Sequence, residues 1–280
     1  MENKYELTDE TIEYDGRTLH RIKALRNISP CVRKGDLGGW IENYSNLSQF
    51  DNCWIFNNAK VYDNAKVYRN AEIRDNACIH DYCMIYDNAE IYDNVCIYGT
   101  AEIYGHTIIK DNVKVYGSAK IRGESEITKN SEIYGFVDIK NSTITDNTKI
   151  YGKATINRCN IFDNSEVYNI SILNNVIVFG ESKICCNNYT DMHINDAILF
   201  NDAYITSSKD IIVVIGLGSI GRKTTFFKCK DGIIKVNCGC FNGTIDEFKE
   251  EVTKTYKDNL YEKEYLMLIN LVKFRFANLE

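Results

Sequence analysis

The chain has 280 residues, of which 44% are hydrophobic and 26% charged, and its formal net charge is -6 at pH 7. This length allows one long domain or two ordinary ones. The acidic balance excludes a surface built for duplex nucleic acid or for anionic membranes. A single proline, against a usual share of ~5%, indicates a chain that is either helical or very regular.

The start of the chain and its cysteines predict a cytoplasmic protein. Residues 1–10 are polar and lack the apolar core of a secretion signal. No apolar run approaches the ~20 residues of a membrane span. The cysteines number eleven, and their irregular spacing favours reduced thiols over a disulfide framework.

Residues 1–44 predict an N-terminal β-hairpin cap. The stretches YELT and IEYDGRTLHRI read as strands, and Asp15 and Gly16 form a tight hairpin turn. Such a cap is expected because the regular coils predicted after it would otherwise expose an open strand edge and an uncovered core.

A six-residue repeat runs through residues 45–204. Its first position is small and includes Cys53, Cys83 and Cys159 among the alanines and serines. Its third position is branched aliphatic, and its last two positions are turn residues such as Asp, Asn and Gly. Three units, which end at Asn141, Arg158 and Asn169, are one residue short.

The repeat predicts short parallel strands rather than helices, because it has the period of two that belongs to a strand and no period of 3.6. Three strands with a turn after each would close a three-sided coil, and successive coils would stack about 4.8 Å apart. Every third unit then places an asparagine at the same corner, where we expect a left-handed backbone and hydrogen-bonded amides. These residues are Asn58, Asn76, Asn94, Asn112, Asn130, Asn147 and Asn164.

The outward fourth position gives one face an aromatic column. Its members are Tyr62, His80, Tyr98, Tyr116, Tyr134, Tyr151 and Tyr168. Cross-strand ring pairs could simply stabilise the sheet. The column could equally be an oligomer or partner face, since an exposed aromatic strip of this length is unusual on a monomer. Both interpretations stay open at this point.

The repeat resembles the hexapeptide-repeat proteins, which form left-handed parallel β-helices and commonly assemble as trimers. The run KGDLGGWIE at residues 34–42, followed by Asn46-Leu47-Ser48 and by Trp54-Ile55, is similar to a group of these proteins frequent in phages and prophages of low-GC bacteria. The resemblance implies a phage-type protein that works in the cytoplasm of an infected bacterial host. The fold class is therefore mainly β: a β-helix with an N-terminal β cap and a small C-terminal α+β domain.

The composition changes near residue 205, and residues 205–280 predict the α+β domain. A strand, a glycine-rich turn and a hairpin at Asp231-Gly232 precede a helix that begins with the capping box Thr244 to Glu247. A second helix is predicted in YEKEYLMLINLVKFRF. The segment resembles a module that recurs behind the β-helix in the phage group.

The first glycine-rich turn matches GxGxxG at residues 216–221, but the β-rich residues after it argue against a dinucleotide site, which needs a helix there. The turn could instead bind phosphate or serve only as a strand connection. The candidate ligand-binding residues here are Gly216, Gly218, Ser219, Gly221, Arg222, Lys223 and Thr224.

A second turn, CGCFNGT at residues 238–244, ends at a predicted helix N-terminus, which favours anions. It could also be a turn and an N-cap alone. Its candidate residues are Gly239, Phe241, Gly243 and Thr244. We expect the two turns to form one cleft.

Other site chemistry receives less support from the spacing. Cys229, Cys238 and Cys240 match no common zinc pattern, and the stacked Asp75, Asp93 and Asp111 are typical of solvated turns. We therefore expect no metal and no cofactor. The four histidines, His20, His80, His106 and His193, have no assignable carboxylate partner, so the acyltransferase activity of some hexapeptide-repeat proteins is the weakest alternative.

The sequence favours a non-enzymatic, trimeric binding protein whose C-terminal domain holds a phosphate-bearing small ligand. A nucleotide signal of host antiviral defence, sequestered by the protein, would fit the phage resemblance. The alternative is a protein-directed inhibitor of a host protein, or a virion module, that uses the aromatic face.

Overall fold

The computed structural model describes residues 3–169, 171–186 and 192–278. The chain divides into two compact units, Met1–Asn157 and Arg158–Glu280, which are treated separately here. The chain is mainly β, with 46% strand and 13% helix, and its repeats form a parallel β-solenoid of about nine turns. The predicted fold class is thus confirmed, while the bounds of the three predicted domains stay a prediction.

The first unit begins with the predicted hairpin. Strands β1 (Tyr5–Tyr14) and β2 (Arg17–Ala24) pair antiparallel, and Asp15 and Gly16 between them have φ values of 51° and 71°. A third strand, β3 (Leu37–Ile41), is antiparallel to β2 and parallel to a strand of the next coil. The cap is therefore joined to the solenoid through backbone hydrogen bonds.

The solenoid strands of the first unit are short, and most of them contain only two residues. They are β4 (Trp54–Ile55), β5 (Lys60–Val61), β6 (Lys66–Val67), β7 (Glu72–Ile73), β8 (Cys78–Ile79), β9 (Met84–Ile85), β10 (Glu90–Ile91), β11 (Cys96–Ile97), β12 (Glu102–Ile103), β13 (Ile108–Ile109), β14 (Lys114–Gly117), β15 (Lys120–Arg122), β16 (Glu126–Ile127), β17 (Glu132–Lys140), β18 (Thr143–Ile144) and β19 (Lys149–Asn157).

The strands stack in the register that the repeat predicts. Cys78 of β8 pairs with Cys96 of β11, and Glu72 of β7 pairs with Glu90 of β10. From β4 to β14, each strand thus meets the third strand after it, so these coils contain three strands. The longer strands β17 and β19 each cover two sides of a coil, since β17 pairs with both β14 and β15. The aliphatic third positions point inward and are almost completely buried, as are the small first positions, including Cys53 and Cys83. This inward column forms the core of the unit.

The short units appear as changes of register. Glu126 pairs with Thr143, and the sequence separation of this pair is one residue shorter than that of paired residues in a full coil. In the second unit, Asn160 pairs with Ile177 at the same shortened spacing. The short units that end at Asn141 and Asn169 are thus confirmed. The one that ends at Arg158 falls at the division between the two units and stays a prediction.

The corner asparagines form the expected amide column. Asn76 donates to Asn94 (3.3 Å), and the column continues through Asn112 and Asn130 to Asn147. The predicted left-handed backbone was one residue out of place, because positive φ belongs to the residue before each asparagine, such as Asp93 at 60°. From that position the carboxylate reaches the next coil, and Asp93 Oδ2 accepts from the N–H of Asp111 (3.1 Å).

The second unit continues with strands of the same kind. They are β20 (Asn160–Ile161), β21 (Glu166–Asn169), β22 (Ser171–Asn174), β23 (Ile177–Val178), β24 (Lys183–Cys186), β25 (Met192–Asn195), β26 (Ile198–Leu199) and β27 (Tyr204–Ile205). Ser171 pairs with Met192, so the coil between them is longer than the coils of the first unit. The extra length falls between Cys186 and Met192, outside the described residues.

A four-stranded antiparallel sheet follows a short 3-10 helix, Ser208–Asp210. Its strands are β28 (Ile211–Leu217), β29 (Arg222–Lys228), β30 (Ile234–Cys238) and β31 (Phe241–Thr244). The helices α1 (Ile245–Tyr256) and α2 (Leu260–Asn278) pack on one face of the sheet. The predicted α+β segment is confirmed, and β29 stands where a dinucleotide site would need a helix.

The two faces of the sheet meet different neighbours because side chains alternate along a strand. Phe226 packs against Phe248 of α1 with ring centroids 6.1 Å apart. Its neighbour Phe227 packs against Phe200 of the preceding coil, with ring centroids 5.0 Å apart.

Among the described residues, neither helix combines the length and the apolar character that a membrane-spanning helix needs.

Candidate functional site

A pocket of about 320 Å³ opens between the β30–β31 turn and the two helices. This volume is at the lower end of the range for small-molecule sites, ~300–1,000 Å³. The pocket is lined by Arg222, Cys238, Cys240, Phe241, Phe248, Glu251, Val252, Thr255, Tyr256 and Tyr265. Of the eleven predicted ligand-binding residues, two belong to this lining: Arg222 and Phe241.

Strand alternation separates the two predicted cations. Arg222 lies on the helix side of β29 and lines the pocket, whereas the next residue, Lys223, places its Nζ 4.0 Å from Asp196 of a solenoid coil. Thr224 is fully buried, and its hydroxyl donates to Cys238 Sγ (3.1 Å). Only the first of these three side chains therefore faces a ligand-sized space.

The first glycine-rich turn has the expected backbone but uses a donor internally. Gly216, Gly218 and Gly221 have φ values of 95°, 68° and 64°. The N–H of Gly218 donates to Glu264 Oε2 of α2 (3.0 Å). An internal carboxylate thus occupies the place that a phosphate would take at this N–H, while Ser219 is exposed and outside the pocket lining.

The second turn meets the first through one side chain. Gly239, with φ of 61°, lies beneath Arg222, and a Cβ on this glycine would come within 3.0 Å of Arg222 Nη1. The close approach requires glycine both for its backbone angle and for the space. Arg222 and Gly239 of the two turns therefore meet, and the expected single cleft stays a prediction.

The N-terminus of α1 is satisfied by its own capping box. The Thr244 N–H donates to Glu247 Oε2 (2.8 Å), and the Glu247 N–H donates to Thr244 Oγ1 (3.3 Å). The hydrogen bonds from Thr244 lower the pKa of the Glu247 carboxyl. Gly243 lies against Phe241 and Glu247, so Gly243 and Thr244 hold the turn in place. The Glu247 carboxylate occupies the N-terminus of α1, where a bound anion would otherwise lie.

Aromatic rings form the wall of the pocket. Tyr256 stacks on Tyr265 with centroids 5.7 Å apart, and Phe241 lies 5.1 Å from Phe248. Burial raises the pKa of the Tyr265 hydroxyl, which therefore stays protonated at neutral pH. The helix residues of this wall were missed from sequence, because apolar residues at helical spacing predict a core face and do not reveal a gap in it.

Two charged side chains, Arg222 and Glu251, line the pocket. Across residues 3–169, 171–186 and 192–278, no carboxylate forms a salt bridge with Arg222. Glu251 also lines the pocket, but its Oε1 accepts from Thr255 (3.2 Å). A half-buried, unpaired guanidinium beside aromatic rings is suited to a ligand that has both an anionic group and a flat ring.

The predicted aromatic face of the first unit is a stacked column. Rings from Tyr62 to Tyr151 lie with centroids 4.7–5.3 Å apart and planes within 11°. Tyr62 is buried, whereas Tyr98 and the tyrosines after it, including Tyr168 of the second unit, are half-buried. Stacking covers the ring faces, which accounts for the column without a partner, and the oligomer interface stays a prediction.

Two further columns of side chains, one of aspartates and one of tyrosines, are accounted for by contacts between neighbouring coils. The carboxylates of Asp75, Asp93 and Asp111 each accept an N–H from the following coil, which explains their stacking without a metal. A second ring column, Tyr68, Tyr86 and Tyr104, has centroids 4.8 and 4.9 Å apart. Stacked side chains thus occur on more than one face.

The histidines lie apart from the pocket. His20 contacts the Thr8 carbonyl oxygen in the cap (3.3 Å), and His106 lies beside Asn88 at a corner (3.4 Å). His80 is the exception to the expected lack of a carboxylate, because its Nδ1 lies 3.3 Å from Asp81. His193 is an exposed residue of β25.

Comparison of the chain with models of known protein families gives no match, and comparison with curated protein sequences gives no significant one.

Proposed function

We propose that the protein is a non-enzymatic binding protein whose C-terminal pocket holds a small ligand with a phosphate and an aromatic ring, as in a nucleotide. The observation that carries this proposal is the Arg222 guanidinium, which forms no salt bridge within the described part of the chain and lies in a pocket walled by Phe241 and Tyr256. The guanidinium fork matches phosphate oxygens, and the rings offer stacking surfaces for a base.

The biological role belongs to the same proposal. A binding protein of phage type could withdraw a nucleotide signal of antiviral defence in the cytoplasm of an infected host. The supporting feature is the resemblance of the KGDLGGWIE run and the repeats to phage and prophage proteins. Sequestration requires tight binding and no turnover, so the bound nucleotide should be recovered unchanged.

Calorimetric titration of the full chain tests the proposal. The panel is linear and cyclic nucleotides, an uncharged nucleoside and inorganic phosphate. We expect heat from at least one nucleotide and much weaker binding of the nucleoside and of phosphate, since each lacks half of the recognised chemistry. Chromatography of the nucleotide after prolonged incubation checks for turnover.

Two neighbouring charge removals provide a matched comparison. Arg222→Ala should weaken nucleotide binding by about 10–100-fold, which corresponds to the loss of a charged hydrogen bond of about 1.5–3 kcal/mol. Lys223→Ala removes the same charge from the opposite face of the strand, beside Asp196, and should leave the affinity unchanged. Equal effects of the two variants, or no heat with any nucleotide, would contradict the proposal.

A further inference from the structure

A second cluster of reactive side chains lies in the first unit, on the aromatic face and far in sequence from the C-terminal pocket. Cys78 and Cys96 are paired residues of neighbouring parallel strands. His80 follows Cys78 closely and lies on the same outward face. The two Sγ atoms and an imidazole nitrogen all lie within 4.8 Å of one another.

The cluster departs from the repeat at three positions in one place. Elsewhere on this face the second position of the unit is charged, as in Lys60, Lys114 and Glu132. The fourth position is otherwise tyrosine from Tyr62 to Tyr168. Within two successive coils, the two cysteines therefore stand where other coils have a solvated charge, and the histidine stands where they have a stacking tyrosine ring. The fold itself requires none of the three residues.

We propose that Cys78, Cys96 and His80 bind a zinc ion. Two thiolates and an imidazole are ligands that zinc prefers, with Zn–S of about 2.3 Å and Zn–N of about 2.0 Å in tetrahedral geometry. Ligand atoms around one such ion are ~3.5–4 Å apart, so a small closure of the present spacing is enough. Both thiols are only half-buried and are free of disulfides.

The surroundings hold the ligands in place. The imidazole of His80 is stacked between Tyr62 and Tyr98, with ring centroids 5.0 and 5.3 Å apart. Asp81 lies 3.3 Å from His80 Nδ1, and carboxylates in this position orient metal-bound imidazoles. Cys78 Sγ lies 3.8 Å from the hydroxyl oxygen of Tyr62, which itself donates to Asp15. It also lies 3.9 Å from the hydroxyl oxygen of Tyr14, which can donate to a metal-bound thiolate.

The fourth coordination position would face an open space. A cavity of about 510 Å³ adjoins the cluster and is bordered by Tyr14, Asp15 and Tyr62 of the cap and first coils. Three protein ligands with one open position are typical of zinc sites that also bind water or another small ligand. A harder ion is disfavoured, because Asp63, an acid close to His80, already pairs with Arg17.

Sequence spacing hides this site. In the sequence, the ligands form the run Cys-Ile-His and a distant cysteine, which together match no zinc motif. The second thiol belongs to the next coil and is brought near by strand pairing. The proposal does not depend on the nucleotide pocket, and the two can fail separately.

Zinc content and cobalt spectra of the full chain test the proposal under reducing conditions. After incubation with zinc and removal of excess metal, elemental analysis should find about one zinc per chain. Cobalt should give the thiolate charge-transfer absorption of a sulfur-ligated site. Magnesium should not compete, since it prefers oxygen ligands.

Three ligand variants and two controls locate the metal. Cys78→Ser, Cys96→Ser and His80→Tyr should each weaken zinc binding by more than about tenfold. His80→Tyr introduces the tyrosine that the other coils have at this position of the aromatic column, so this variant should fold normally. Cys31→Ser removes an exposed thiol outside the cluster, and Lys114→Ser changes the same repeat position one coil on. Both should bind zinc normally.

Two results would overturn the proposal. One is a wild-type chain with titratable free thiols that takes up neither zinc nor cobalt. The other is zinc binding that survives in Cys96→Ser and His80→Tyr, since the metal would then lie elsewhere.

Discussion

Aspartate at the turns of the solenoid combines two properties at one residue. Asp93 has φ of 60°, and its carboxylate accepts the N–H of Asp111 in the next coil (3.1 Å). Aspartate tolerates this left-handed region better than most residues do because its short polar side chain bonds locally. Here the bond partner lies one coil on, so the residue shapes the turn and also links neighbouring coils.

Substitutions of Asp93 should separate the two properties. Asp93→Gly keeps the permitted backbone angle and loses the hydrogen bond, which should lower the free energy of unfolding by about 1 kcal/mol. Asp93→Ala loses the bond and also adds left-handed strain of about 1 kcal/mol. Urea denaturation followed by circular dichroism measures both variants, and equal stabilities would show that the backbone angle carries no cost there.

Arg222 shows how a single residue defines a candidate pocket. Its neighbours in sequence, Gly221 and Lys223, have no part in the pocket lining. The side chain reaches across Gly239 because that residue lacks a Cβ. The predicted site is therefore narrower than the sequence indicated, and the charge test on Arg222 addresses its central group.

The aromatic column acts at the scale of an element. Tyr116 lies between Tyr98 and Tyr134, with ring centroids 4.8 and 4.7 Å away, and its hydroxyl donates to Glu132 (2.8 Å). Each ring pair should add ~0.5–1.5 kcal/mol beyond its buried area. The column thus reinforces the short strands that carry it.

Removal of one ring from the column should cost more than removal of the same ring elsewhere. Tyr116→Ala should lower the free energy of unfolding by about 1–3 kcal/mol, from two ring pairs. Tyr92→Ala is the matched control, because Tyr92 holds the same repeat position on another face without a stacked ring among the described residues. Equal losses in urea denaturation would contradict a stabilising role for stacking.

The sheet of the second unit shows why two-sided burial matters for an element. Its strands carry Phe226 toward the helices and Phe227 toward the preceding coil. Lys235 also reaches that coil and pairs with Asp202 (2.7 Å). The four strands therefore cover the last coil edge and support the pocket at the same time, which a one-sided hairpin would not achieve.

At the scale of the whole molecule, the aromatic face bears on the number of chains per particle. The half-buried edges of Tyr98 and Tyr116 leave room for a partner surface, and trimers are common among the hexapeptide-repeat proteins that the sequence resembles. We propose a trimer joined along this face, although stacking alone accounts for the column.

Native mass spectrometry tests this assembly. The wild-type chain should appear as a trimer, and the double variant Tyr98→Lys with Tyr116→Lys should appear as a monomer, because buried like charges repel across an interface. Tyr86→Lys changes a ring column on another face and should leave the trimer intact. A trimer retained in the double variant would place the interface elsewhere.

The sequence by itself determined the backbone architecture. The six-residue rhythm predicted inward aliphatic positions, three strands per coil and the short units at Asn141 and Asn169, as found. The Asp15-Gly16 turn and the capping box at Thr244 were also readable. These features are decided by residues close in sequence, so a periodic pattern is sufficient to encode them.

Tertiary structure alone decided which groups are free to act. The N–H of Gly218 and the end of α1 looked anion-receptive, but Glu264 and Glu247 occupy them. Among the residues that the structure describes, no carboxylate forms a salt bridge with Arg222, and Cys78 meets Cys96 from another coil. A side chain's partner depends on contacts between residues distant in sequence, which a local pattern does not encode.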